Sequence, residues 1–99
     1  MEKKSDQFEV LRKIQSKPHA TQRDLAEELG FSLGKLNYCL KALKTKGFIK
    51  MKNFEKNPIK INYIYVLTPR GIAEKAKLTL NFMKRKMQEY DELKKEIKD

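Results

Sequence analysis

The stretch Thr21-Gln-Arg-Asp-Leu-Ala-Glu-Glu-Leu-Gly-Phe-Ser32-Leu-Gly-Lys-Leu-Asn-Tyr-Cys-Leu-Lys-Ala-Leu43 holds two helix starts with a helix stop between them. Thr21 offers a capping hydroxyl, Asp24 sits near the positive end of the helix that follows, and Leu25, Ala26 and Leu29 form its apolar side. Gly30 ends it, because glycine takes the left-handed backbone of a C-cap without steric penalty. The spacing predicts a short helix over Gln22 to Leu29. Phe31 then turns toward the core and the Ser32 hydroxyl caps the next helix, predicted from Leu33 to about Lys46. There Leu33, Leu36, Leu40 and Leu43 point inward with Cys39 beside them, and Gly47 closes the helix. Two helices joined by the three-residue turn Gly30-Phe31-Ser32 make a helix-turn-helix.

Upstream, Phe8, Val10, Leu11 and Ile14 recur at near-helical spacing, and a first helix is expected from Asp6 to Lys17, with Asp6 as cap and Glu9 completing a capping box. Lys17-Pro18 stops it, since proline disfavours helical geometry in the residue before it. Downstream, Phe48 to Lys52 alternates with period two and Ile61 to Leu67 is rich in β-branched and aromatic residues, so two strands are expected around the polar segment Asn53 to Lys60. Thr68-Pro69 is a cap followed by proline at the first helical position, and nothing after Gly71 breaks a helix as far as Asp99. In that last helix Ala76, Leu80, Met83, Met87, Tyr90 and Ile97 fall at alternating four- and three-residue steps, interrupted by Lys94, which is the pattern of a coiled-coil-like dimer seam. Leu78 and Phe82 lie off the seam and are expected to pack back on the first helix. The fold class is therefore mainly α with a small β-hairpin wing: a winged helix-turn-helix over residues 1–71, then a long C-terminal dimerisation helix over 72–99.

A chain of 99 residues with 39% hydrophobic content supports one small domain, near the size where a monomer is marginally stable. No apolar run approaches the roughly 20 residues needed to cross a bilayer, and Met1 to Lys17 lacks the apolar segment of a secretory signal. A soluble, cytoplasmic protein is expected. With Cys39 the only cysteine and His19 the only histidine, no disulfide and no four-ligand zinc site of the usual type can be assembled within one chain. Cys39 reads as core packing and His19 as a turn residue. Paired carboxylates, a Ser/His/Asp set and a glycine-rich phosphate loop are all missing, so neither an enzyme nor a cofactor is expected.

Charge indicates the partner. Residues 32 to 60 carry eight lysines (35, 41, 44, 46, 50, 52, 56 and 60) against the single acid Glu55, which is +7 of the chain's net +10. The ordinary reading of any one of these lysines is a solvated surface position; their clustering on one helix and hairpin suits the phosphate backbone of double-stranded DNA. In a helix-turn-helix the second helix enters the major groove. On its outer face, beside Gly34, Lys35 could reach guanine O6 and N7, Asn37 carries the donor and acceptor for adenine, and Tyr38 could bond a phosphate or stack on a thymine methyl. Thr21 and Ser32 suit phosphates, while Lys41, Lys44, Lys50, Lys52, Lys56 and Lys60 supply attraction independent of sequence. A second reading is a protein-interaction module docking an acidic protein partner. RNA binding ranks behind both, because stacking aromatics are few.

These residues resemble a known family. The order Thr21 to Ser32, Leu36, Leu40, Leu43, Lys46-Gly-Phe-Ile49 and Leu67-Thr-Pro-Arg-Gly71 is similar to a MarR-type winged helix. The runs Ser32-Leu-Gly-Lys-Leu-Asn-Tyr-Cys-Leu-Lys-Ala-Leu43 and Phe82-Met-Lys-Arg-Lys-Met-Gln-Glu-Tyr90 resemble the subgroup of EPS-associated MarR-family transcriptional regulators. That resemblance implies a bacterial homodimeric regulator of transcription with Lys35, Asn37 and Tyr38 at recognition positions, associated with exopolysaccharide genes. Many family members carry an arginine at the wing tip, where this chain reads Asn53-Phe-Glu-Lys-Asn57.

Overall fold

Local capping chemistry sets most of the element boundaries. The computed structural model describes the backbone of residues 4–57 and 60–98 and the side chains of residues 5–52 and 64–97. The chain runs α1 (Lys4–Ser16), α2 (Gln22–Leu29), α3 (Leu33–Thr45), β1 (Ile49–Asn57), β2 (Lys60–Leu67) and α4 (Pro69–Lys98). At the start of α2, Thr21 Oγ1 accepts from the Asp24 amide at 3.2 Å and the Asp24 carboxylate accepts from the Thr21 amide at 3.1 Å, a reciprocal capping box. The Thr21 backbone N–H, followed by its hydroxyl, holds the Asp24 carboxyl below its usual range. Gly30 takes the left-handed conformation, φ 68°, and the Phe31 amide bonds back to the Ala26 carbonyl at 2.9 Å. Ser32 Oγ then accepts from the Lys35 amide at 3.1 Å and opens α3. Caps of this kind each contribute about 1 kcal/mol.

Three expectations are corrected. Asp6 is not the cap of α1: the helix already includes Lys4 and Ser5, and Asp6 lies in its first turn, where its carboxylate is directed to α3 instead. Leu33 does not point inward; as the first residue of α3 it has helix neighbours on one side only and stays 49% exposed. The segment Asn53 to Lys60 is not a loop throughout, because β1 continues to Asn57 and β2 begins at Lys60. Antiparallel pairing runs from Ile49↔Leu67 through Met51↔Tyr65 to Phe54↔Asn62, with a register shift before Asn57↔Lys60. Once the base of the hairpin is in register, the next amides and carbonyls are placed to extend the ladder, and this outweighs the weak strand preference of Asn and Lys.

The core is apolar throughout. Val10, Leu11 and Ile14 of α1, Leu25 and Ala26 of α2, Leu36, Cys39, Leu40 and Leu43 of α3 and Ile49 of β1 form one buried cluster, and Leu29, Phe31, Phe48, Tyr65, Leu67 and Leu78 pack on its edge. Burial pushes the Tyr65 phenol upward in pKa. Among the described residues no polar or charged side chain is buried. As expected, α4 returns to α1 through residues off its long stripe: Phe82 meets Phe8 with ring centroids 5.7 Å apart and planes inclined at 42°, and Leu78 packs at the core edge.

The end of α3, the hairpin and α4 meet at one joint. Gly47, φ 78°, turns the chain out of α3, and the Phe48 amide bonds back to the Leu43 carbonyl at 3.0 Å. Thr68 Oγ1 donates to the Gly47 carbonyl at 2.6 Å and accepts from the Gly71 amide at 3.0 Å, while the Thr68 amide donates to the Phe48 carbonyl at 3.0 Å. Gly71 lies so close to that strand that a Cβ there would fall 1.8 Å from the Phe48 carbonyl oxygen, whereas a Cβ on Gly34 would meet nothing within 4 Å. Gly71→Ala should therefore force the joint apart and destabilise by about 2–4 kcal/mol, in the range of severe overpacking. Gly34→Ala should be neutral or stabilise by up to about 1 kcal/mol, as expected for alanine replacing glycine in a helix. Denaturant unfolding of the two variants checks this, and equal midpoints would refute the role given to Gly71.

Candidate nucleic-acid interface

The sequence-expected site residues divide into those brought together on one face and those whose side chains are not described. Gly34, Lys35, Asn37, Tyr38, Lys41 and Lys44 all lie exposed on α3, and Lys50 and Lys52 lie exposed on β1. Tyr38 is 59% exposed, with no core role to account for an aromatic ring there. Thr21 and Ser32 stand at the N-terminal ends of α2 and α3 with their hydroxyls already engaged by backbone amides. A shallow cleft runs from Asn37, Leu40, Lys41 and Lys44 of α3 to Met51 and Tyr65 at the base of the hairpin, joining the helix and the wing into a continuous surface. Lys56 and Lys60 belong to the hairpin backbone, and their side chains lie outside the described ones.

The electrostatics separate this face from the rest of the head. On the other side, Lys13 of α1 and Lys17 just after it are tied to Glu28 of α2 at 3.2 and 3.5 Å. The Lys13 hydrogen bond, and then the Lys17 charge, hold the Glu28 carboxyl below its usual range. Among the described residues no carboxylate pairs with Lys41, Lys44, Lys50 or Lys52. Their charge is uncompensated and directed to solvent, as attraction to a polyanion requires. A wider cleft lies away from this face, between the end of α1 and α2, and its Asp24, Glu27 and Glu28 oppose an anionic partner.

Three contacts were not foreseen from the sequence. Lys35 Nζ lies 3.5 Å from the Asp6 carboxylate and 4.2 Å from the centroid of the Phe31 ring. Phe31 belongs to the turn just before α3, whereas Asp6 comes from α1, and no local pattern announces that it lies beside α3. The pair is partly exposed, so it is worth at most about 1 kcal/mol and can be exchanged for another acceptor. Gln22 Nε2 donates to Asn37 Oδ1. Because a carbonyl oxygen has two lone pairs, Asn37 keeps one for a second donor and both of its own amide hydrogens, with its orientation set by Gln22. Gln22 is thus a positioning residue. Its signal in the sequence is only that a helix-turn-helix brings the start of the first helix beside the second, which singles out no side chain.

Among the described residues no group of three or more His, Cys, Asp and Glu side chains is placed to hold a metal ion, and no described helix is long and apolar enough to cross a membrane.

Comparison with known proteins bears on the same elements. A family model described as winged helix-turn-helix DNA-binding matches residues 7–50, from α1 through α3 to the start of β1. Among solved structures, the chain is similar to the PcaV transcriptional regulator of Streptomyces coelicolor, at 20% identity over 84% of this chain and 57% of that one, with a TM-score of 0.71. It is similar to ZitR of Lactococcus lactis, a zinc-responsive MarR family member, at 22% identity over 94% and 62% of the two chains, with a TM-score of 0.68. FabT of Streptococcus pneumoniae, solved in complex with DNA, matches at 23% identity over 84% and 56%, with a TM-score of 0.64. The chain thus aligns with 56–62% of the length of these proteins. No curated protein matches it in sequence. Residues 7–50 thus match the winged helix-turn-helix DNA-binding model, and the chain shares its fold with these solved regulators.

Proposed function

We propose that this protein is a sequence-specific DNA-binding regulator of transcription that acts as a homodimer on a pseudo-palindromic operator. The observation that carries the reading is the exposed face of α3, where Lys35, Asn37 and Tyr38 stand near the helix start and Lys41, Lys44, Lys50 and Lys52, paired with no carboxylate among the described residues, flank them. Placed in a major groove, α3 presents Lys35 and Asn37 to base edges, while the hairpin runs over the adjacent phosphates with Lys56 and Lys60 on its backbone path. Pairing through the α4 stripe of Ala76, Leu80, Met83, Met87, Tyr90 and Ile97 carries two copies of α3 about 34 Å apart, one turn of the duplex. In this reading residues 1–71 bind DNA and residues 72–99 join the copies, and the resemblance to EPS-associated regulators makes exopolysaccharide genes the regulated set. Docking of an acidic protein is the weaker reading, since lysines rather than an apolar patch fill the face.

Selection of bound sequences from a randomised duplex pool at physiological salt tests this proposal. A two-fold symmetric motif with half-sites one turn apart is expected; retention without a motif would reduce the chain to a nonspecific binder, and no retention would favour a protein partner. On the selected operator, Lys35→Ala and Asn37→Ala should each lose about 1–3 kcal/mol at one base pair per half-site. Equal losses on operator and random duplex in a binding titration would remove both residues from base readout. Asp6→Asn should act in the opposite direction: it frees Lys35 and removes a carboxylate from the rim of a surface that meets phosphates, so binding to any duplex should tighten a few-fold at low salt. Weaker binding by the same assay would show that Asp6 instead holds Lys35 in its working position.

A further inference from the structure

The distal half of α4 has no cover. Leu80, Met83, Met87, Tyr90 and Ile97 stand exposed along one stripe with Leu93 beside it, while Leu78 and Phe82, the residues that hold α4 to the head, lie off that stripe. The charges next to it are segregated: Lys84, Arg85 and Lys86 form a basic block, and Glu89, Asp91 and Glu92 an acidic one, all exposed. Building on the homodimer reading, we propose that α4 pairs with α4 of a second copy in antiparallel orientation, about a two-fold axis passing between Gln88 and Glu89.

The pattern is self-complementary about that point. Reversal brings Met87 of one copy level with Tyr90 of the other, Leu80 with Ile97, and Met83 with Lys94. Lys94, the residue that interrupts the stripe, then lays its aliphatic stem along a methionine while its ammonium reaches water. In a parallel, in-register pair Lys94 would face its own symmetry mate inside the seam. The same reversal sets the basic block of each copy against the acidic block of the other, whereas the parallel pair stacks like on like. On the flanks of the seam the antiparallel pair sets Lys84 of one copy beside Asp91 of the other and the parallel pair sets Lys86 beside Asp91, so the order of the blocks and the place of Lys94 carry the distinction. Within one copy Lys86 lies 3.5 Å from Glu89 and 5.4 Å from the Phe82 ring, and such exposed contacts exchange readily for a cross-helix partner.

The position of the head agrees with this orientation. The head is attached to α4 at Leu78 and Phe82, and with a rise of 1.5 Å per residue antiparallel pairing sets the two residues 78 about 32 Å apart along the rod. That is close to the ~34 Å between successive major grooves on one side of the duplex. Parallel pairing leaves both heads at one end of the rod on axes about 10 Å apart.

Double electron–electron resonance on the full chain, with equilibrium sedimentation of the same samples, tests the orientation. Spin labels go onto Lys77→Cys and, separately, Gln88→Cys; Cys39 is buried in the core, and the unsubstituted chain serves as the labelling blank. The expected result is a dimer with labels about 35 Å apart at position 77, from the helical rise, and in close proximity at position 88. A dimer with short distances at both positions overturns the antiparallel arrangement and leaves the homodimer standing. Long distances at both positions place the interface outside α4 and overturn the inference, and a monomer at all concentrations overturns the homodimer reading with it.

Discussion

The bridge made by the Thr68 hydroxyl, from the Gly47 carbonyl to the Gly71 amide, is the constraint on which the working geometry depends. It ties the end of α3 to the start of α4 across the base of the hairpin, within a segment where two glycines are required for different reasons. Gly47 must accept a positive φ, and Gly71 must leave room for the Phe48 carbonyl. A hydroxyl that both donates and accepts inside a half-buried joint satisfies two backbone groups that would otherwise be stranded from water. The consequence is mechanical, because helix, wing and rod cannot rotate independently without breaking these bonds.

Stability and charge are assigned to separate parts of the molecule. The core contains no buried ion pair or polar side chain among the described residues, so the head is held by apolar burial and by caps, and the lysines of α3 and β1 are not needed to hold it. A net charge of +10 is self-repulsive in a compact chain, which makes the asymmetry informative. On α1 and α2, Glu9 pairs with Arg12 and Glu28 with Lys13 and Lys17, while α3 itself carries no acid. The exception is Asp6, whose partner Lys35 stands on the outer face of α3. A weak, solvent-screened pair of that kind orients the side chain without fixing it, which in the proposed DNA-binding reading leaves Lys35 able to exchange the carboxylate for a base edge.

What was legible in the sequence followed from how local the physics is. Thr21, Gly30, Ser32 and Gly47 act within three or four residues of themselves, and each could be read from its neighbours. The packing of Phe82 and Leu78 on the head was also legible, since they fall off the periodic stripe and an amphipathic helix must bury one side of itself. The rest depended on tertiary placement. Nothing near Asp6 indicates that α3 lies beside it, nothing near Gln22 selects Asn37 fifteen positions away, and the spacing that puts Leu33 on the apolar side of α3 does not reveal that the core ends before reaching it. The hairpin ran longer than expected for a related reason: strand length was judged from side chains, and backbone pairing determined it.

The 30 residues of α4 pass from Pro69 to Lys98 with no proline after the first position and no glycine after Gly71, so the helix has no built-in hinge. Its first turn is fixed to the wing and its third and fourth turns, through Leu78 and Phe82, to the core edge and α1, and only beyond Phe82 does it leave the head. Any partner on the distal stripe is therefore rigidly related to α3. With an antiparallel second copy as that partner, the separation of the two recognition helices is set by the number of residues between Phe82 and the two-fold axis, and not by a flexible linker. One residue inserted there moves each head by about 1.5 Å and rotates it by about 100°. A rod of this kind makes the spacing and phase of the two half-sites as much a part of recognition as the bases within them.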